Sequence, residues 1–280
     1  MQGKLAIIIV THNSEQELKH NISSIEKCRI QYEQLIIVDS GSDSTSYLRS
    51  YSLLPGTIVI YEQNIGFCKG NNIGFGKVKK DIDVVLFLNP DVIFSEDIIG
   101  ELENELERNR VFSISPMLKR CTIEEDKVIF SDEIDTNGIF STWYSRFYDN
   151  KKLTNSIVHE ADALCGAFIL CKKKALNDIL INHREVFNEK LYMYKEDIEL
   201  GLRARAIGYR CLIREDLIAY HGRGWKERKK VKKWQKILSS RNEFFLLKHM
   251  RIQTAIIAAI YYTLKYIYVK FFESIIMRKR

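Results

Sequence analysis

Along the first third of the chain, apolar residues come in short unbroken runs, and each run stops at a cluster of polar residues. Leu5 to Val10, Leu35 to Val38, Thr57 to Tyr61 and Val84 to Leu88 are runs of this kind, rich in β-branched residues, and they predict strands. Helical stretches fall between them, over roughly Glu15 to Glu26, Phe67 to Val78 and Glu96 to Arg108, with a short helix after the turn Gly41-Ser42-Asp43. Runs this continuous are buried on both faces, so the expected class is α/β, a mainly parallel sheet covered by helices. After Val111 the periodicity blurs, and Cys121 to Ile157 reads as loop. Farther on, a helix over Ile198 to Ile207 opens at Glu196-Asp197 and ends at Gly208, and Leu217 to Tyr220 reads as a strand.

Composition narrows the picture. A length of 280 residues suits one large domain, or a catalytic domain with a helical appendage, and a hydrophobic content of 46% with three prolines describes a packed chain rather than a disordered one. The formal charge of +7 is unevenly placed: Trp225 to Lys236 reads WKERKKVKKWQK and the last residues are Arg278-Lys279-Arg280. A basic C-terminal third calls for an anionic partner, whether nucleic acid, a diphosphate or an acidic membrane surface. The six cysteines form no C-x-x-C pair, which argues against structural zinc and for reduced thiols. Leu5 to Val10 is too short for a secretory h-region and no small-residue cleavage site follows, so the expected location is cytoplasmic.

Candidate chemistry sits where elements begin or end. Asp39 closes one strand and Asp91 follows another by three residues, so both belong to the carboxyl edge of the sheet, where ligands bind in open α/β folds. Asp39 also opens Asp39-Ser40-Gly41-Ser42-Asp43, which an ordinary turn could use, and Asn89-Pro90-Asp91 alone is a common turn tripeptide. Glu196 and Asp197 are either a helix cap or an acid/base pair, and His221 is either structural or a ligand. The Gly/Asn-rich segment Asn64 to Gly74 lacks a G-x-G-x-x-G fingerprint; its glycines serve helix-to-sheet packing or ligand contact. Two carboxylates and an imidazole can hold a hard divalent cation, and the cation a diphosphate. That combination describes a metal-assisted transferase with a nucleotide-activated donor.

In this order and spacing the residues resemble family 2 glycosyltransferases of the GT-A fold, particularly a bacterial rhamnosyltransferase-like branch. The resemblance runs from Ile7 to about Trp225 through Ile9-Val10-Thr11-His12-Asn13, Val38-Asp39-Ser40-Gly41-Ser42, Asn64-Ile65-Gly66-Phe67, Gly70-Asn71-Asn72 and Leu88-Asn89-Pro90-Asp91. It continues in Cys165-Gly166-Ala167-Phe168, Phe187-Asn188-Glu189, Tyr194-Lys195-Glu196-Asp197-Ile198-Glu199-Leu200, Arg203 and His221. It implies a GT-A type, Rossmann-like catalytic domain over residues 1–225 and a basic, amphipathic helical region over 226–280. It further implies a nucleoside-diphosphate sugar donor bound around Thr11, Asn13 and Asp39, with Lys69, Asn71 and Asn89 toward the ribose and diphosphate. Asp91, helped by His221, would hold Mg²⁺ or Mn²⁺, and Asp197, with Glu196 beside it, would be the general base of an inverting transfer. Where many relatives carry Asp-x-Asp, this chain has Asn89, and an amide brings no negative charge to a metal.

Ile252 to Leu264 is uncharged, 13 residues against the roughly 20 that span a bilayer, and Lys265 interrupts it. On a helical wheel of about 100° per residue, Arg251, Lys265, Lys270 and Glu273 share one arc, and the rest is apolar. That pattern fits a peripheral helix at the inner face of the plasma membrane, near a glycan or lipid-linked acceptor, or a helix docked on the domain or on a second copy of the chain. Two rival functions remain open on the residues alone: a metal-dependent nucleotidyltransferase, and a non-catalytic adaptor for nucleic acid or an anionic surface.

Overall fold

The computed structural model describes residues 3–125, 127–223 and 231–272. Its first half is β1 (Leu5–Thr11), α1 (Glu15–Lys27), β2 (Gln34–Ser40), β3 (Thr57–Glu62), α2 (Gly66–Phe75), β4 (Val84–Leu88), β5 (Val92–Phe94) and α3 (Ile99–Leu106). Then come β6 (Val111–Ile123), β7 (Val128–Thr136), β8 (Ile139–Ser141), β9 (Phe147–Asp149), β10 (Val158–Ala161) and β11 (Phe168–Lys172). The chain finishes with α4 (Lys173–Asp178), α5 (Glu196–Ala206), β12 (Arg210–His221), α6 (Lys233–Asn242) and α7 (Ile252–Ile267).

One large sheet runs in the order β10-β12-β6-β11-β4-β1-β2-β3. Pairing directions make β3, β2, β1, β4, β6 and β12 run one way, while β11 and β10, together with β5 on β12 and β7 on β6, run against them. The side-chain period of two splits β1 between two cores. Leu5, Ile7 and Ile9 meet Leu18, Ile22 and Ile25 of α1 and Leu102 of α3. Ala6 and Ile8 face Cys68 of α2, Leu176 of α4 and Leu200 of α5. Every residue of β2 and β4 is buried, which is why those runs carry no polar alternation. Gly70 and Gly74 let α2 lie directly on the sheet: a Cβ on Gly74 would stand 2.5 Å from Ile8 Cγ2, and one on Gly70 2.8 Å from Val10 Cγ1.

The stretch from Cys121 to Ile157, expected as loop, instead carries the end of β6, all of β7 and the hairpin β8–β9. β7 is an edge strand with most of its residues outside the core, so it lacks the apolar alternation that announces a strand. The helix expected from Glu96 begins only at Ile99, where Asp97 Oδ1 accepts the Ile99 amide.

The C-terminal helices pack on α5 and on the β8–β9 hairpin. Tyr262 Oη donates to the Ser145 carbonyl at 2.8 Å, and Ala258, Tyr262 and Val269 are buried. Lys265, expected on a solvated polar arc, is turned toward the protein, where its Nζ lies 2.5 Å from Glu243 Oε1. The exposed face is apolar instead: Ile252, Ile256, Ile260, Leu264 and Phe271 are all more than half exposed. With a π-helical turn continuing α7, Ile252–Phe271 makes a 20-residue helix, long and apolar enough by composition to cross a membrane. Glu273 and most of the basic run before α6 lie outside the described residues.

Candidate active site

β1 and β4 end side by side, with Thr11 as the last residue of β1 and Asn89 just past β4. What happens next decides the site. Three residues, Val92 to Phe94, pair antiparallel with the end of β12, with Val92 opposite His221, and the Gly222 amide donates to the Asp91 carbonyl at 2.7 Å. Asp91 Oδ1 thereby comes to 3.4 Å from His221 Nε2. On the other side of the ring, Nδ1 lies 2.9 Å from Oδ2 of Asp135, the buried carboxylate that β7 delivers. Arg223 Nε stands 3.3 Å from the same oxygen, and its Nη1 reaches Asp149 of β9 at 3.4 Å.

Burial opposes the charge on His221, but Asp91 and Asp135 outweigh it and raise the imidazole to about 9. Burial likewise opposes ionisation of Asp91 and Asp135, and the neighbouring His221 and Arg223 more than compensate, holding both below the usual aspartate value. The cluster is therefore a set of fixed, mutually stabilised charges.

Two cavities meet at these residues. One, of about 460 Å³, is lined by Asp91, His221, Arg223, Asp149, Glu196 and Asp197. The other, of about 510 Å³, is lined by Thr11, Ser40, Asn64, Tyr192, Lys232 and Trp234. Asn89, Asp91, Phe67 and Met193 belong to both.

Glu196 and Asp197 open α5 and differ in their surroundings. Asp197 accepts the Gly166 amide at 3.1 Å and the Ile198 amide at 2.8 Å. Glu196 Oε2 is buried with no hydrogen-bond partner. Burial and the adjacent Asp197 charge push Glu196 far above the ordinary glutamate value; Asp197 is also raised by burial, but Lys195 and the two amides counter it. Of the pair, Glu196 is the one that keeps a proton and Asp197 the one that carries the charge.

Of the other expected donor residues, Asn89 lines both cavities, and Asp39, Asn13 and Asn71 bond within the protein. Asp39 accepts the Gly41 and Ser42 amides and the Ser42 hydroxyl. Asn13, at φ +52°, exchanges two hydrogen bonds with Asp43, tying the loop after β1 to the loop after β2. Asn71 is buried and donates to the Phe67 carbonyl of its own helix, while Lys69 is exposed; neither lines the two cavities. The neighbour of Asn71 does more: Asn72 Oδ1 accepts the Val186 and Phe187 amides, pinning α2 to the segment that leads to Glu196. Asp135, Asp149 and Arg223 are not marked by the sequence, because nothing local identifies a carboxylate on an edge strand as part of a site; Asn72 stands there within Gly70-Asn71-Asn72, but without a role.

Residues 6–180 match the profile of glycosyl transferase family 2. The chain belongs to that family. Among similar proteins, this family 2 glycosyltransferase is 26% identical over 215 residues to the rhamnosyltransferase WbbL of Escherichia coli (strain K12), covering 73% of this chain and 78% of the relative. It is 23% identical over 230 residues to an uncharacterized glycosyltransferase of Haemophilus influenzae, covering 79% of this chain and 66% of the other. Among solved structures, GalNAc-T7 with UDP, GalNAc and Mn²⁺ aligns with a TM-score of 0.66 at 15% identity over 90% of this chain, which spans 53% of that one. Staphylococcus aureus TarS 1–349 in complex with UDP-GlcNAc aligns at 0.58 and 17% identity, over 94% of this chain and 72% of that one. These likenesses are of fold, and the fold is GT-A.

Proposed function

We propose that this glycosyltransferase moves a sugar, with inversion, from a nucleoside diphosphate to a hydroxyl of a glycan or lipid-linked acceptor in bacterial surface polysaccharide synthesis. The carrying observation is that Asp91 lines both cavities, with His221 beside it at 3.4 Å on the wall of the first, where Asp197 also lies. In this reading the second cavity takes the nucleoside diphosphate, with Thr11 and Asn89 on its wall and Asp39 and Asn13 shaping the loops beside it. The first cavity takes the sugar and the acceptor. A rhamnosyl donor is favoured by the likeness to WbbL.

The residues fit a divalent cation. One carboxylate oxygen and one imidazole nitrogen 3.4 Å apart face a space open to a ligand, and Mg²⁺ or Mn²⁺ takes its remaining ligands from phosphate oxygens and water. Among the described residues no third His, Cys, Asp or Glu completes a protein cage. Once bound, the ion supplies positive charge against the departing diphosphate. The chain's own residues do the rest. Asp197, charged and oriented by two amides, takes the proton of the acceptor hydroxyl as its oxygen attacks the anomeric carbon opposite the leaving group. Glu196, protonated beside it, offers a hydrogen bond to a hydroxyl in the first cavity without competing for that proton.

Family membership favours this over nucleotidyl transfer and over a non-catalytic adaptor. A cytoplasmic site of action, with α7 at the inner face of the membrane, belongs to this reading, and the exposed apolar face of that helix supports the membrane contact. The test is product analysis on a panel of UDP-, dTDP- and GDP-sugars with Mn²⁺, with and without EDTA, for the parental protein and Asp91→Ala. Metal-dependent release of nucleoside diphosphate, lost in the variant, is the expected result; pyrophosphate release, or turnover unaffected by EDTA, would overturn it.

A further inference from the structure

The loop that delivers Glu196 and Asp197 is held in a backbone its own residues disfavour. Tyr192 has φ +63° and ψ −61°, Tyr194 φ +70° and Lys195 φ +72°. None of the three is Gly, Asn or Asp, the residues that tolerate positive φ. Such conformations persist only where the surroundings over-determine them. Lys195 is also the residue from which α5 starts: its carbonyl accepts the Glu199 amide at 2.9 Å, so its backbone angles set where the first turn, and with it Asp197, points.

The restraint comes from the far end of the chain. Asn242, the last residue of α6, has no exposed surface, and its Nδ2 donates to the carbonyls of Leu191 at 2.8 Å, Met193 at 2.9 Å and Tyr194 at 2.9 Å. One amide group thus gathers three carbonyls of a tight loop that offers them no regular secondary-structure partner. The next residue, buried Glu243, places Oε1 3.6 Å from Lys195 Nζ and 2.5 Å from Lys265 Nζ of α7. Asn242 and Glu243 therefore hold both the carbonyls and the side chain of the loop and tie them to the C-terminal helix.

We propose that Asn242 is a positioning residue for sugar transfer, clamping the strained loop 192–195 so that Asp197 meets the acceptor, with Glu243 linking that clamp to α7. The inference rests on Asp197 being the base. Displacement of a reacting group by about 1 Å can cost on the order of 10²-fold in rate. Tyr192 and Met193 of the same loop line the second cavity, so the effect assigned to the clamp is the part carried by Asp197, which should disappear once Asp197 is disabled.

The experiment compares Asn242→Asp, which keeps the shape and removes the donors, Asn242→Ala, and each combined with Asp197→Asn. Two readouts are taken: turnover of whichever sugar nucleotide in the UDP-, dTDP- and GDP-sugar panel the parental enzyme consumes, and hydrogen exchange of residues 191–200 by mass spectrometry. Expected are a kcat lower by about 10²-fold with donor KM changed by about threefold or less, faster exchange confined to 191–200, and no further loss in the Asp197→Asn background. Equal losses with and without Asp197, or parental exchange in that segment, would overturn the clamp. If Asp197→Asn itself turned over at the parental rate, the base assignment would fail, while hydrogen exchange would still decide the clamp. Should both Asn242 variants fail to fold, Glu243→Gln carries the same two tests, with unchanged kcat and unchanged exchange counting against the proposal.

Discussion

Nδ1 of His221 stands 2.9 Å from Oδ2 of Asp135, a carboxylate with no exposed surface. An ionised carboxylate can only accept, so this contact places a proton on Nδ1 and leaves Nε2 as the nitrogen that faces Asp91. The ring is so oriented that Nε2, protonated in the metal-free protein, would release its proton when a cation takes its place. Carboxylates behind a ligating histidine typically account for 10- to 100-fold in metal affinity. Asp135→Asn should weaken Mn²⁺ binding by about that factor, measured by titration of the ion alone, without altering the affinity for nucleoside diphosphate in EDTA. Parental Mn²⁺ affinity in the variant would remove His221 from the metal site or Asp135 from its support.

Asp197→Asn should lower turnover by about 10²- to 10⁴-fold while leaving donor binding nearly unchanged. Glu196→Gln should cost much less, because a protonated carboxyl and an amide both donate a hydrogen bond. Steady-state kinetics against calorimetric donor affinity separates the two residues. A Glu196 variant as damaged as the Asp197 variant would reverse the assignment.

Glu199 contributes to the loss of stability in acid. Its side chain is fully buried, with Arg203 at 3.0 Å, Lys248 at 3.2 Å and His249 at 2.8 Å. Burial opposes its charge, but these partners prevail and lower it from 4.5 to about 2. A depressed folded value means stabilisation that is complete above the unfolded value and is lost as pH falls from about 4.5 toward 2. The shift corresponds to roughly 3 kcal/mol. Glu199→Gln should therefore be strongly destabilised at pH 7, and the gap from the parental protein should narrow as pH drops below 4. Urea melts at pH 7, 4 and 3 test this; a gap that stays constant would mean Glu199 is not ionised in the folded protein.

The exposed face of α7 should seat in lipid. Ile256, Ile260 and Leu264 are 61%, 60% and 64% exposed, so replacing all three with Gln removes apolar surface without touching the packed Tyr262 and Lys265. Each Lys or Arg near an anionic surface adds on the order of 1 kcal/mol. The parental protein should cosediment with anionic vesicles more than with neutral ones, salt should release part of it, and the triple variant should stay in solution with an unchanged melting temperature. Equal pelleting of parent and variant would assign the face to a protein contact.

The sequence by itself determined the frame. Short unbroken runs rich in β-branched residues favour buried strands over helices, so β1, β2 and β4 and the polar residues at their ends were legible, as was a helix opening at Glu196-Asp197. Local pattern works there because burial on both faces leaves a continuous apolar signature and a helix start has local capping chemistry. Only the tertiary structure decided how the site closes. β5 has three residues, too few for any period, and its pairing with β12, Val92 opposite His221 and Phe94 opposite Ala219, is what carries Asp91 to His221. Asp135 comes from an edge strand whose outward residues hide it, and Asn242 meets the loop before α5 through hydrogen bonds to backbone carbonyls, which any residue possesses. Contacts of that kind depend on where the chain returns in space, and local pattern does not record it.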